Sequence, residues 1–157
     1  MKLTATHDIA APVDFVFARA NEFARFARVA QARGGKVQRH PPDPDAGRGL
    51  RFDVEYPFRG TLWPVELELL DRAPPERMRI GVSAALVTGT IDVGFAPDGT
   101  GGTRVTLATA IKARSLKGQV FLGSLQVVRN KIEGRLKSEL KRAGAGAEAL
   151  WRDAARG

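Results

Sequence analysis

The sequence predicts an α+β fold, in which an antiparallel sheet of about seven strands is wet on one face and covered by helices on the other. Two observations carry this. Apolar and polar residues alternate with a period of two over most of residues 2–9 and 50–112. One apolar stripe with helical steps of four and three then runs through residues 121–140. The order is strand, two short helices, six further strands and a long helix, with no internal repeat and no linker that splits the chain.

The elements follow in chain order. Leu3, Ala5, His7 and Ile9 share one face of the first strand, and Lys2, Thr4, Thr6 and Asp8 share the other. Ala11-Pro12 ends the strand and opens a helix, because proline lacks only an N–H that the first helical turn leaves unused. Val13, Val16, Phe17 and Ala20 continue at helical spacing. Asn21 is expected to cap a second short helix carrying Phe23, Phe26 and Ala30, which Gly34-Gly35 terminates. A short strand at residues 36–40 leads into the loop Pro41-Pro42-Asp43-Pro44-Asp45.

Leu50, Phe52, Val54, Tyr56 and Phe58 then alternate with polar residues, and Trp63, Val65, Leu67 and Leu69 answer them across a turn at Arg59-Gly60. Pro57 and Pro64 flank the tip of this hairpin, which is therefore expected to be irregular or to lie at an edge. Met78, Ile80, Val82, Ala84 and Leu86 form the next strand, Thr88-Gly89 is the expected turn, and Ile91, Val93 and Phe95 follow. The Pro97-to-Gly102 turn leads to Val105, Leu107, Thr109 and Ile111. Residues 115 to about 142 read as one long helix with Ser115 as N-cap, lined by Phe121, Leu125, Val128, Ile132, Leu136 and Leu140. Gly144-Ala145-Gly146 is expected to end or fray it. A single domain at 1–142 and a loosely ordered tail at 143–157 follow from that reading.

Composition narrows the function classes. The chain has no cysteine, which excludes a disulfide framework, thiolate metal ligands and a cysteine nucleophile. The opening MKLTATHDIA has no apolar run of signal-peptide length, so a cytoplasmic location is expected. Arginine outnumbers lysine 18 to 7, with frequent Ala and Gly, which is the bias of a GC-rich bacterial genome. The net charge of +8 is read mainly as a solvated surface.

Two segments carry a resemblance to a known family. His7-Asp8-Ile9-Ala10-Ala11-Pro12-Val13-Asp14-Phe15-Val16-Phe17 looks like the "I-x-A-P-x-x-x-V-F" opening of the START/polyketide-cyclase superfamily, the SRPBCC or Bet v 1-like proteins. Gly102-Thr103-Arg104-Val105-Thr106 resembles that family's "D-G-G-T-x-V-x" turn into its last strand. With the C-terminal helix in the expected place, the resemblance covers roughly residues 1 to 142. It implies a helix-grip fold, a curved sheet wrapped around the last helix with an apolar cavity between them. Family members bind lipids, sterols, polyketides, quinones or plant hormones, and some are cyclases or hydrolases, so the fold alone does not choose among functions.

The residues expected to line the cavity are Phe52, Val54, Tyr56, Trp63, Leu67, Ile80, Val82, Ile91, Phe95, Leu107, Phe121, Leu125 and Val128. Tyr56 and Trp63 are the expected ligand-orienting residues, since each joins an apolar body to one polar handle. His7 falls on the inward face, where it either touches ligand or sits at the sheet margin against a neighbouring carbonyl. No metal-ligand spacing, nucleophile elbow or phosphate loop is present, and no cofactor is expected. The acidic residues Asp53, Glu55, Glu66, Glu68 and Asp92 fall on the polar face, where they are expected to be solvated.

The expected function is binding of a hydrophobic small molecule: lipid-, quinone- or polyketide-like. The alternatives are a polyketide cyclase/dehydratase-like or hydrolase-like enzyme of the same fold, and an interaction protein using the basic helix face of Arg129, Lys131, Arg135, Lys137, Lys141 and Arg142. Nucleic acid is not expected there, because no recognised motif accompanies the charges. Contact with anionic lipid is a further alternative for that face. Leu116, Val120 and Val127 make a second apolar stripe, which either packs under the hairpin or forms a dimer contact, so monomer and homodimer both stay open.

Overall fold

The computed structural model describes residues 1–58 and 60–157. Arg59, half of the expected hairpin turn, lies outside the described residues, as do the side chains of Ala24, Phe26 and Phe58. The elements are β1 (Lys2–Ile9), α1 (Val13–Ala20), α2 (Phe23–Ala32), β2 (Lys36–His40), β3 (Arg51–Phe58), β4 (Thr61–Ala73), β5 (Arg77–Ala84), β6 (Val87–Pro97), β7 (Thr103–Ala113), α3 (Leu116–Val127) and α4 (Arg129–Arg156). The strands form one antiparallel sheet in the order β1-β7-β6-β5-β4-β3-β2. With the C-terminal helices against its concave face, this is the helix-grip fold.

Register carries the alternation of each strand across the whole sheet. Phe52 pairs with Leu67 and Leu67 with Val82, while Ile80 pairs with Ile91 and Ile91 with Thr109. These residues therefore share one face. A register shift between Leu69 and Asp71 marks a bulge at Leu70, the kind of insertion that bends a strand and tightens its twist. Both hairpin prolines keep a regular register with their partners. They lie beyond the ends of the flanking ladders, where β2 no longer covers β3 and β5 no longer covers β4. Of the two expectations for the tip, the edge is the one realised.

The main core lies at one end of the grip. Ile9, Ala11, Val16, Phe17, Met78, Phe95, Val105 and Ala147 are buried together. Phe17 meets Phe95 edge-on at 5.2 Å, and Phe15 meets Trp151 at 5.2 Å. The turn after β6 locks this end. Asp98 Oδ1 accepts from the Thr100 and Gly102 backbone N–H groups, at 2.8 and 3.1 Å, while Gly99 and Gly101 take positive φ. Thr103 is fully buried, and its hydroxyl donates to the Ala11 carbonyl at 2.7 Å. The two segments that carry the family resemblance thus touch each other.

Four sequence expectations are corrected. The long helix is two helices, because Val128 leaves helical geometry (φ −109°, ψ 20°). α4 does not stop at Gly144-Ala145-Gly146 and runs to Arg156, so the expected loose tail is helical. Gly144 sits there because a Cβ would come within 3.0 Å of Ile9 Cγ1 and 3.1 Å of His7 Cδ2. Close packing on β1 outweighs its low helix propensity. Asn21 closes α1 instead of opening α2, donating from its amide to the Phe17 carbonyl at 2.8 Å. Finally, Thr88-Gly89 lies inside β6, paired with Ser83 and Val82, and the chain turns before it at residues 85–86.

α4 also covers the free edge of β1. Arg129 donates to the Lys2 carbonyl at 2.6 Å, while Glu133 and Glu148 accept from the Thr4 and Ala10 backbone N–H groups at 3.0 and 2.9 Å. Side chains thereby satisfy backbone groups that would otherwise template another strand. The Thr4 N–H first, and Arg129 second, hold the Glu133 carboxyl below the usual carboxylate range. A depressed folded-state pKa gives a contribution that is complete above the unfolded value, about 4.3, and is lost as pH falls through the folded value. Glu133→Gln is therefore expected to lower the melting temperature at about pH 7, with the difference from wild type shrinking as pH falls from about 4 toward 2. Thermal melts of both proteins across that interval check this.

Candidate ligand-binding site

The other end of the grip is built differently. The principal helix contacts fall on β1 (α4), β7 (α3), β6 (α1) and β2 (α2). The middle of the sheet, β3 to β5, lies between these supports. There the inward side chains Phe52, Val54, Trp63, Leu67, Ile80 and Val82 are all half-buried, as are Ile91 and Leu107 on β6 and β7. In a filled core such residues pack to near-complete burial. Incompletely buried, they make the hollow, concave side of the sheet apolar there. Phe121, Leu125 and Val128 of the α3 side are half-buried in the same way.

Two aromatic pairs frame this hollow. Phe23 of α2 meets Phe52 of β3 at 5.7 Å, and Trp63 of β4 meets Phe121 of α3 at 5.6 Å. The sheet is thus tied to a helix on either side of its middle strands. Tyr56 pairs in register with Trp63 at the hairpin tip and is 47% exposed.

Two expected lining residues lie elsewhere. Phe95 belongs to the filled end, packed on Phe17. His7 sits at the seam between the edge strand β1 and Gly144 of α4, in register with the buried Val105. Two polar residues on the inward face were not among the expected lining. Arg39 pairs in register with Phe52, and Thr109 with Leu3 and Ile91. Alternation could have placed Thr109, while the short, mostly polar β2 offered little to orient Arg39.

The acidic strand residues all face outward, but they are paired and not merely solvated. Asp53 meets His40 at 2.7 Å, Asp92 meets Arg79 at 2.7 Å, and Glu55 lies 3.9 Å from Lys36. Arg48 bridges Glu66 and Glu68. The Gly49 N–H first, then Arg48, keeps the Glu68 carboxyl below its ordinary pKa. These carboxylates therefore lie paired with basic side chains on the convex face, away from the hollow. Among the described residues no group of three or more His, Asp or Glu side chains could hold a metal ion. On the expected basic face of α4, Arg129 pairs with Glu133 and Arg142 with Glu139, while Lys131, Arg135, Lys137 and Lys141 are exposed. Two open depressions of about 500 Å³ lie outside the hollow. One is on the convex face among Lys36, Asp53, Glu66 and Arg114, and the other lies between α2 and α4 beside Arg19, Arg25 and Arg28. Both mix charged side chains with apolar ones, Val37 and Pro64 in the first and Val29 and Leu150 in the second.

A curved antiparallel sheet gripping C-terminal helices defines the helix-grip class of domain. The chain belongs to the polyketide cyclase/dehydrase and lipid transport family, whose model matches residues 1–148. Solved structures agree on the fold. A protein from Thermus thermophilus superposes with a TM-score of 0.69 at 20% identity, covering 96% of this chain and 99% of that one. The Zhui aromatase/cyclase from Streptomyces sp. R1128 gives 0.65 at 16% identity, covering 94% and 93%. Ara h 8.0201 gives 0.62 at 8% identity, covering 98% of both chains. No match emerges among curated protein sequences. Membership supports ligand binding or cyclase-type activity in general terms and fits a small hydrophobic ligand. Among the described residues no helix is long and apolar enough to cross a membrane.

Proposed function

We propose that this protein binds an apolar small molecule, lipid-, quinone- or polyketide-like, in the hollow between β3–β7 and α3. The observation that carries the reading is the incomplete burial of Phe52, Leu67, Ile80, Val82 and Ile91 on the concave face. Water in contact with such a surface is released when a ligand covers it, at about 25 cal/mol per Å² of apolar area, less the cost of immobilising the ligand. Binding of this kind selects by size and hydrophobicity, and Tyr56, Thr109 and Arg39 are the polar groups available to orient a ligand's oxygen atoms.

The enzyme reading needs a proton donor or acceptor inside the hollow. His7 is packed at the β1–α4 seam and the strand carboxylates lie on the convex face. Tyr56 and Arg39 are the inward groups left to handle a proton, and among the described residues no inward carboxylate partners them, so binding is the better supported of the two.

The two tryptophans make the test direct. Trp151 belongs to the filled end, whereas Trp63 borders the hollow. In a Trp151→Phe variant, titration with a long-chain fatty acid or a ubiquinone analogue is expected to shift or quench the Trp63 emission saturably. Emission that stays constant up to the solubility limit of both probes would overturn the assignment.

A further inference from the structure

The apolar stripe that the hollow does not use lies on α3. Leu116, Val120 and Val127 are 79%, 76% and 85% exposed, so the hairpin does not cover them. At about 100° per residue they fall within about 40° of one another. Phe121, Leu125 and Gly118 lie on the opposite side of the helix, toward the sheet. α3 is therefore apolar on two faces, and one of them meets solvent. The hairpin tip meets the inner side of α3 through the Trp63–Phe121 contact and leaves the outer stripe uncovered.

Charge decides what this face suits. Between Asp98 and Glu133 the chain has no acidic residue. Lys117 on α3, with Lys112 and Lys131 on the elements before and after it, supplies cations, whereas Arg104 and Arg129 are paired with Asp8 and Glu133, and Arg114 donates to Ser83 and the Ala84 carbonyl. Among the described residues no carboxylate pairs with Lys112, Lys117 or Lys131. A two-fold contact with a second copy would bring the same surface, with the same cations, against itself. An anionic bilayer offers apolar depth beneath a negative headgroup layer and meets both features at once.

We propose that the outer face of α3 docks on anionic lipid bilayers, with Leu116, Val120 and Val127 entering the headgroup boundary and Lys117 among the lipid phosphates. The 12-residue helix is about 18 Å long against a hydrocarbon core of about 30 Å, so it lies along the surface and does not cross it. The proposal goes beyond the ligand reading and does not depend on it.

The test is co-sedimentation of the full chain with vesicles of phosphatidylcholine alone, or of equal parts phosphatidylcholine and phosphatidylglycerol, without added ligand. Partitioning to the mixed vesicles is expected to be about tenfold stronger, as one or two cations near an anionic surface produce, and to weaken at high salt. The variant Leu116→Ser/Val120→Ser/Val127→Ser should lose most of it while keeping its melting temperature, since all three side chains already face water. Equal partitioning to both vesicle types, or an unchanged triple variant, would overturn the proposal. Sedimentation velocity showing a dimer that the triple variant abolishes, with no vesicle binding, would also overturn it and assign the face to a second copy. The Trp63 titration, run without vesicles, reports on the hollow independently.

Discussion

Leu67→Glu is expected to weaken binding of the apolar probe about 30-fold, equivalent to about 2 kcal/mol, with little change in the stability of the free protein. Leu67 lies mid-sheet on the concave face, between Phe52 and Val82 in register, and is half-buried. In the unliganded hollow a carboxylate there keeps contact with water. A ligand must strip that water away, and the one inward cation in this row, Arg39, stands two strands from position 67, so the cost falls on binding and not on folding. The same Trp63 emission titration measures it. Wild-type affinity in this variant would place the ligand elsewhere.

The opposite pattern is expected at the filled end. Phe17→Ala should cost about 4 kcal/mol, the range for removing a fully buried aromatic ring. Phe17 is 7% exposed and packs edge-on against Phe95 within the main core. Against a typical total of about 5–15 kcal/mol, that is a large share. It should lower the denaturant midpoint markedly, while the folded fraction still binds probe with wild-type affinity. A loss below about 1 kcal/mol, the usual range for a surface change, would show that this end is not what holds the domain together. The two variants separate a half that stabilises from a half that binds.

Much of this division can be read along the chain, and its limits have physical causes. Period-two alternation identifies which side chains share a face, and the observed register keeps Phe52, Leu67 and Val82 together as that period requires. Alternation carries no information about curvature. It could not separate Phe95, packed in the core, from Ile91, four residues earlier on the same strand face and half-exposed. The bulge at Leu70 and the break at Val128 interrupt regular elements, yet neither has a Gly or Pro to announce it.

The unexpected helix end has the same origin. Gly144 and Gly146 carry the composition of a stop signal, but Gly144 is a contact residue, placed where α4 presses on Ile9 and His7. Packing overrides local propensity there. Asn21 is ambiguous by nature, since one short amide can serve the end of one helix or the start of the next. Alternation puts the outward carboxylates on the correct face, but their partners come from neighbouring strands or the loop before β3, and strand order is not visible in a single sequence.

The central claim is that the hollow holds an apolar molecule. Native mass spectrometry of freshly purified protein, followed by solvent extraction, tests it most directly. A near-stoichiometric adduct that extraction releases as a lipid, quinone or polyketide, and that Leu67→Glu protein lacks, is the result expected. A bare mass that stays unchanged after incubation with lipid and quinone extracts would contradict it.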